Sequence, residues 1–179
     1  GSLPGEQVVF DANREAEGHD FFALGGLSVS KDGRWMLYGV DTRGDERYDF
    51  RIRDLDTGDE LPERLDGIGA ACFTPDARWV FYVTLDDAWR PCEQDEVVFH
   101  EDDERFWVGV GMSFDEHSIV ICSASKTSSE VWMLPTATPE GEFSVFIARK
   151  DDVEYDVSFA CFEGAGADGA DIPVAVVYH

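Results

Sequence analysis

Leu27-Ser28-Val29-Ser30, then Lys31-Asp32-Gly33-Arg34, then Trp35-Met36-Leu37-Tyr38: an apolar run, a tight polar turn and a second apolar run stand in a row. The same shape returns twice. Ala71-Cys72-Phe73 precedes the turn Thr74-Pro75-Asp76-Ala77-Arg78 and the run Trp79-Val80-Phe81-Tyr82. Trp107-Val108-Gly109-Val110 precedes Phe114-Asp115-Glu116-His117 and Ser118-Ile119-Val120-Ile121. Asp32 and Asp76 are 44 residues apart, and Asp76 and Asp115 are 39 apart. Four-stranded propeller blades recur at about 40 to 50 residues. The repeat therefore predicts a scaffold of blades before any chemistry is considered.

The strands around each turn follow from the alternation of side chains. Tyr48, Phe50 and Ile52 alternate with Asp49, Arg51 and Arg53, the two-residue period of a strand with one buried face. Asp54-Leu55-Asp56-Thr57-Gly58-Asp59-Glu60-Leu61 then supplies a hairpin turn and an edge strand. With the two runs flanking Asp32 this makes four antiparallel strands, one complete blade. A second unit begins near Ile68 and ends around Val97-Val98-Phe99-His100, with one strand too few between them. A third runs from Phe106 through Ser129-Glu130-Val131-Trp132-Met133-Leu134 to Phe143-Ser144-Val145-Phe146-Ile147. A fourth starts at Tyr155 and reaches only its second strand, Ile172 to His179. The expected fold is all-β, a partial β-propeller of about three and a half four-stranded antiparallel blades. The expected divisions are a lead-in over 1–24, with Gly1-Ser2 as an expression remnant and a turn of helix between Gln7 and Glu17, then blades near 25–66, 67–101, 106–149 and 153–179. So few blades cannot close a ring of ordinary size, so the chain reads as part of something larger.

Composition narrows the partners. The 179 residues are 44% hydrophobic, enough for a real core. No apolar run nears the roughly 20 residues of a membrane helix, and no basic-then-apolar leader opens the chain, so a soluble, cytoplasmic protein is expected. The 38 acidic against 14 basic residues give a net charge of −24, which repels a nucleic-acid backbone and draws basic peptides. Cys72, Cys92, Cys122 and Cys161 have no paired spacing and read as free thiols in a reducing compartment.

No motif supplies a catalytic centre. A hydrolase nucleophile on a strand-to-helix elbow needs small residues on both sides of the serine, and no GxSxG is present. Gly25-Gly26-Leu27-Ser28-Val29-Ser30 enters a strand instead. His19, His100, His117 and His179 share no metal-ligand spacing. Asp54, Asp56 and Gly58 open like a calcium loop, but Leu65 stands where the bidentate acid belongs, and a hairpin explains them. Gly109-Val110-Gly111 lacks the helix that a phosphate loop requires. Trp35, Trp79, Trp107 and Trp132 are expected to fill space between neighbouring sheets. No metal or cofactor is expected.

Several segments together resemble the propeller of the prolyl oligopeptidase family, in its oligopeptidase B (protease II) branch. They are Glu6-Gln7-Val8-Val9-Phe10-Asp11-Ala12-Asn13, Leu37-Tyr38-Gly39-Val40-Asp41, Gly44-Asp45-Glu46-Arg47-Tyr48 and Thr84-Leu85-Asp86-Asp87-Ala88-Trp89-Arg90-Pro91. Asp103-Glu104-Arg105-Phe106-Trp107-Val108, Ser128-Ser129-Glu130-Val131 and Val153-Glu154-Tyr155 continue the series in order. The resemblance implies a propeller that filters substrates by size and covers the active site of a separate α/β-hydrolase domain, a serine peptidase cutting short peptides after Lys or Arg. It carries no triad residue onto this chain, so the chain alone is expected to be inactive. It also implies another strand between Pro91 and Asp95, where this chain is short.

Asp41, Asp45, Glu46, Asp86 and Asp87 are the candidate substrate-steering residues, because they put negative charge on loops. The expected partners are the hydrolase domain, basic oligopeptides and, through open sheet edges, a second copy. The alternative is a free-standing acidic propeller-like module that binds basic peptides or proteins.

Overall fold

The computed structural model describes residues 5–84, 95–162, 164–165 and 172–178. Among these residues the fold is all-β apart from one turn of helix. That helix, α1 (Ala12–Glu15), starts where the Asp11 carboxylate accepts from the Asn13 and Arg14 N–H groups. Strands β1 (Ala23–Val29), β2 (Trp35–Asp41), β3 (Tyr48–Asp54) and β4 (Glu60–Ile68) form one antiparallel sheet in chain order. A hairpin of β5 (Ala70–Phe73) and β6 (Val80–Val83) follows. A second four-stranded antiparallel sheet has β7 (Trp107–Met112), β8 (Ser118–Ala124), β9 (Ser129–Pro135) and β10 (Ser144–Ile147), again in chain order. Finally β11 (Asp156–Phe162) pairs antiparallel with β12 (Ile172–Tyr178), so 172–178 is the second strand of a fourth unit. The sheets of the described residues do not close into a ring.

Side-chain alternation stacks the units. On β5, Cys72 and Phe73 point to opposite faces. Phe73 joins Leu37, Phe50 and Ile68 of the first sheet, and Cys72 joins Phe81 with Ile119 and Leu134 of the third unit. The β5–β6 hairpin is thus buried on both sides. Strand β2 is buried along nearly its whole length, because Met36, Tyr38 and Val40 form a further cluster with Phe10, Phe22 and Leu55 on the face opposite Leu37. Packing on both faces explains why its sequence is a continuous apolar run rather than an alternation.

The three repeated turns have one geometry. The Ser30, Thr74 and Ser113 hydroxyls donate to Asp32, Asp76 and Asp115 at 2.6, 2.7 and 2.6 Å. The same hydroxyl oxygens accept the Trp35, Trp79 and Ser118 N–H groups at 2.9, 3.2 and 2.9 Å. The residue after each aspartate is left-handed, Gly33 at φ 77°, Ala77 at 53° and Glu116 at 62°. Neighbouring turns are tied directly: the Lys31 N–H donates to the Pro75 carbonyl at 3.1 Å, and the Lys31 ammonium meets Glu116 at 3.1 Å.

Two sequence readings change. Residues 97–100 do not form the last strand of the second unit; 95–103 lie outside any strand. Instead Phe99 packs edge-on against Trp132 at 5.5 Å and Glu101 bonds Ser123 and Arg149, so this stretch runs as a tie onto the third unit's sheet. The tryptophans do not share one role. Trp35 packs on the first core cluster, but Trp79 is 41% and Trp107 63% exposed. The shortness of the chain between Pro91 and Asp95 falls almost wholly outside the described residues.

Candidate functional site

The loop joining β2 to β3 gathers the acidic residues singled out in the sequence. Asp41, at the end of β2, is buried, and its carboxylate accepts the Arg43 and Gly44 N–H groups at 2.8 Å each and the Glu46 N–H at 2.9 Å. Burial pushes its pKa up; the three N–H donors outweigh that and hold the carboxyl below its ordinary value. Asp41 therefore shapes the loop. Gly44 and Glu46 take the left-handed conformations, φ 78° and 59°, that wrap the main chain round this carboxylate.

The loop's exposed charge comes from its other members. Asp45 is half exposed, accepts the Arg47 N–H at 3.3 Å and faces the Arg43 guanidinium at 3.4 Å. Arg43 also reaches Asp49 at 3.4 Å, and Asp49 accepts the Gly67 N–H at 3.0 Å, tying the loop to the end of β4. Glu46 is exposed. The structure brings Asp41, Asp45 and Glu46 together; Asp86 and Asp87 lie outside the described residues.

Two ion clusters went unrecognised in the sequence. Arg53 of β3 reaches Glu15 of α1 at 2.9 Å, Glu60 of β4 at 3.0 Å and the Tyr38 hydroxyl of β2 at 2.8 Å. Tyr38 also donates to Glu60, and Arg53 lies over its ring at 4.9 Å. Burial pushes Glu60 up, but hydrogen bonds from Tyr38, Arg53 and Arg64 prevail and lower it to about 2. Burial raises Tyr38 to about 12, aided by its bond to Glu60. In the third unit Arg149 bonds Glu101, reaches Glu130 at 2.8 Å and Ser123 at 3.2 Å, and stacks on Phe106 at 3.6 Å. Both clusters fix a segment outside the sheet onto a sheet face: the lead-in helix in one, residues 101–106 in the other.

Nothing among the described residues assembles a nucleophile. The buried Ser30 and Ser113 hydroxyls donate to turn aspartates, and Ser123 donates to Glu101 at 2.5 Å. His100 pairs with Asp102 at 3.2 Å on the surface, away from any of these serines' bonds. Among the described residues no three His, Cys, Asp or Glu side chains cluster as a metal ion would require. Asp54 accepts from Arg34 at 2.8 Å and from the Asp56 N–H at 2.9 Å, the hairpin arrangement expected of it. Cys72 and Cys122 are free, and burial raises Cys72 to about 12. No helix among the described residues is long and apolar enough to cross a membrane.

Comparison with known proteins places this architecture. Residues 1–161 match the family model described as prolyl oligopeptidase, N-terminal beta-propeller domain. Dipeptidyl aminopeptidase BI of Pseudoxanthomonas mexicana is 36% identical over 87% of the chain and 23% of its own length. Protease 2 of Moraxella lacunata is 31% identical over 85% of the chain and 24% of its own. Among solved structures, oligopeptidase B from Trypanosoma brucei with covalently bound antipain superposes with a TM-score of 0.72 at 28% identity, over 88% of this chain and 24% of that one. Oligopeptidase B from Leishmania major gives a TM-score of 0.74 at 22% identity over the same shares, a likeness of fold. The chain thus spans about a quarter of the length of these relatives.

Proposed function

This chain belongs to the prolyl oligopeptidase family through its N-terminal β-propeller domain, and we propose that it is the substrate-filtering, active-site-covering part of an oligopeptidase B-like serine peptidase. The peptidase cleaves short peptides after Lys or Arg, in the cytoplasm, using an α/β-hydrolase domain encoded elsewhere in the longer protein. One observation carries the reading: the family match falls on stacked blades whose buried Ser30, Ser113 and Ser123 hydroxyls donate to carboxylates rather than to a histidine base.

The chain's work in this reading is steric and electrostatic. A rigid wall of blades excludes folded proteins from the catalytic centre, and a net charge of −24 gathers basic peptides. The loop bearing Asp41, Asp45 and Glu46, together with Asp86 and Asp87, steers them. Blade boundaries near 25–66, 67–101, 106–149 and 153–179 belong to the same proposal, as does pairing of the open sheet edges with the remaining blades or, in isolation, with a second copy.

The test compares kcat/KM of the longer protein on blocked Arg peptides of about five and about 60 residues, lengths chosen to lie on either side of a propeller filter. The reading expects cleavage after Arg in the short peptide and little in the long one. Equal rates on both would remove the filtering role, and cleavage elsewhere than Lys or Arg would remove the specificity. The name of the 36%-identical relative favours a second reading, removal of dipeptides from a free N-terminus. An N-terminally blocked substrate distinguishes the two, since an aminopeptidase rejects it.

A further inference from the structure

The seam between the third and fourth units is poorly filled. A cleft of about 610 Å³ runs between β7 and β8 on one side and β11 on the other, with Gly109, Gly111, Val120, Cys122 and Phe159 among its walls. A Cβ built at Gly109 or Gly111 meets nothing within 4 Å. The contrast with the first unit is direct: there the Tyr48 ring fills the space over Gly25 and the Phe50 ring the space over Gly39. No ring among the described residues does this for the glycines of β7.

A second hollow, of about 370 Å³, continues the first. Ala124 lines it and stands two residues beyond Cys122 on the same face of β8; Asp156 lines it and stands two residues before Ser158, which lines the larger cleft, on the same face of β11. This end is acidic, with Glu154 and Asp156 in its wall. The Asp156 charge is felt inside the larger cleft, where Cys122 is raised by burial and then by Asp156 and Glu130. Glu130 is already matched by Arg149 at 2.8 Å; Asp156 has no cation among the ion pairs of the described residues. Finally, β7 and β11 are each terminal in their sheets, so each has one row of main-chain groups outside any sheet ladder.

We propose that this seam is a peptide-binding groove, in which an extended peptide lays apolar side chains over Gly109 and Gly111 and a neighbouring Lys or Arg against Glu154 and Asp156. Floor and acidic end each match one part of such a ligand: side chains and cation. Charge selects the occupant, because a second copy of a chain with net charge −24 would bring more carboxylates to an acidic wall. The choice of a basic peptide rests on the proposed substrate class; the groove itself rests on the geometry.

The test is fluorescence anisotropy of the purified chain with fluorescein-labelled Val-Phe-Arg-Val amide. Saturable binding is expected, weakened about tenfold or more in Gly111→Leu, whose Cβ enters open space on the floor. Asp156→Asn combined with Glu154→Gln is expected to weaken it about fivefold and to remove the preference for Arg over norleucine. Gly109→Leu and a benzoylphenylalanine peptide that crosslinks to β7 or β11 serve where Gly111→Leu does not fold. Absent binding, binding indifferent to both leucine variants, or crosslinks outside the seam would overturn the proposal. A dimer that Gly111→Leu dissolves and the peptide does not would overturn it too, giving the groove to a second copy. Cleavage specificity of the longer protein is measured separately, so its failure leaves these binding results standing.

Discussion

The ring of Phe50 occupies the space where a side chain at Gly39 would be. The two residues face each other across β2 and β3, and a Cβ at position 39 would sit 2.6 Å from two Phe50 ring carbons. The same ring passes 3.6 Å from the place of a Cβ at Gly26, on the far side of β2. One aromatic side chain thus lies across glycines of two neighbouring strands, and it is itself buried against Leu37, Ile68 and Phe73. Glycine in a strand interior ordinarily weakens it; here it admits the ring that joins the first sheet to the second unit.

Gly39→Ala is accordingly expected to destabilise the chain by about 2 kcal/mol, the cost of overpacking a filled core. Because the obstacle is the Phe50 ring, the same change in a Phe50→Leu background is expected to cost clearly less. Urea denaturation of the two single variants and the double variant measures the coupling. Additive effects would mean that the ring is not what position 39 accommodates.

The repeated turns make a second expectation. Thr74→Val keeps shape but removes a hydroxyl that both donates to Asp76 and accepts the Trp79 N–H in a fully buried position, for a loss of about 1–3 kcal/mol. Thr74→Ser, which restores the residue type of the other two turns, is expected to recover most of it. Ala77→Gly is expected to stabilise by up to about 1 kcal/mol, since Ala77 holds φ at 53° where Gly33 of the first turn has no Cβ. Denaturant midpoints check all three.

Acid stability depends on Glu60. Its pKa falls from 4.5 to about 2 in the folded chain, so its contribution is complete above pH 4.5 and disappears as pH drops toward 2. A stability profile from pH 7 to pH 2 is expected to decline over that window in the parent and less steeply in Glu60→Gln, the remaining decline coming from other carboxylates held below their ordinary values, Asp103 among them. Equal slopes would show that Arg53 and Tyr38 do not hold the carboxylate in its charged form.

What the sequence disclosed was local. The Ser/Thr-x-Asp turns and the hairpin at Asp54 are legible because their hydrogen bonds join residues two to five apart, and the alternation of Tyr48, Phe50 and Ile52 because successive side chains of a strand face opposite ways. The ion clusters were not, since Glu15 lies 38 residues from Arg53 and Glu101 lies 48 from Arg149. No spacing rule selects those partners among 38 acids. Asp41 shows the same limit within the candidate site. Its charge was visible, but its burial follows from the packing of β2, and only the fold reveals that main-chain N–H groups consume its oxygens. Trp35 and Trp79 leave equivalent turns, yet only Trp35 packs on the core cluster beside them.

The central claim is that these blades shelter chemistry performed by another domain. It is tested most directly by treating the purified chain with a serine-directed fluorophosphonate and assaying it on a blocked Arg dipeptide anilide. The account predicts no stoichiometric label and no hydrolysis that co-elutes with the chain. Labelling of one serine per chain, with turnover that vanishes when that serine is replaced by alanine, would contradict it.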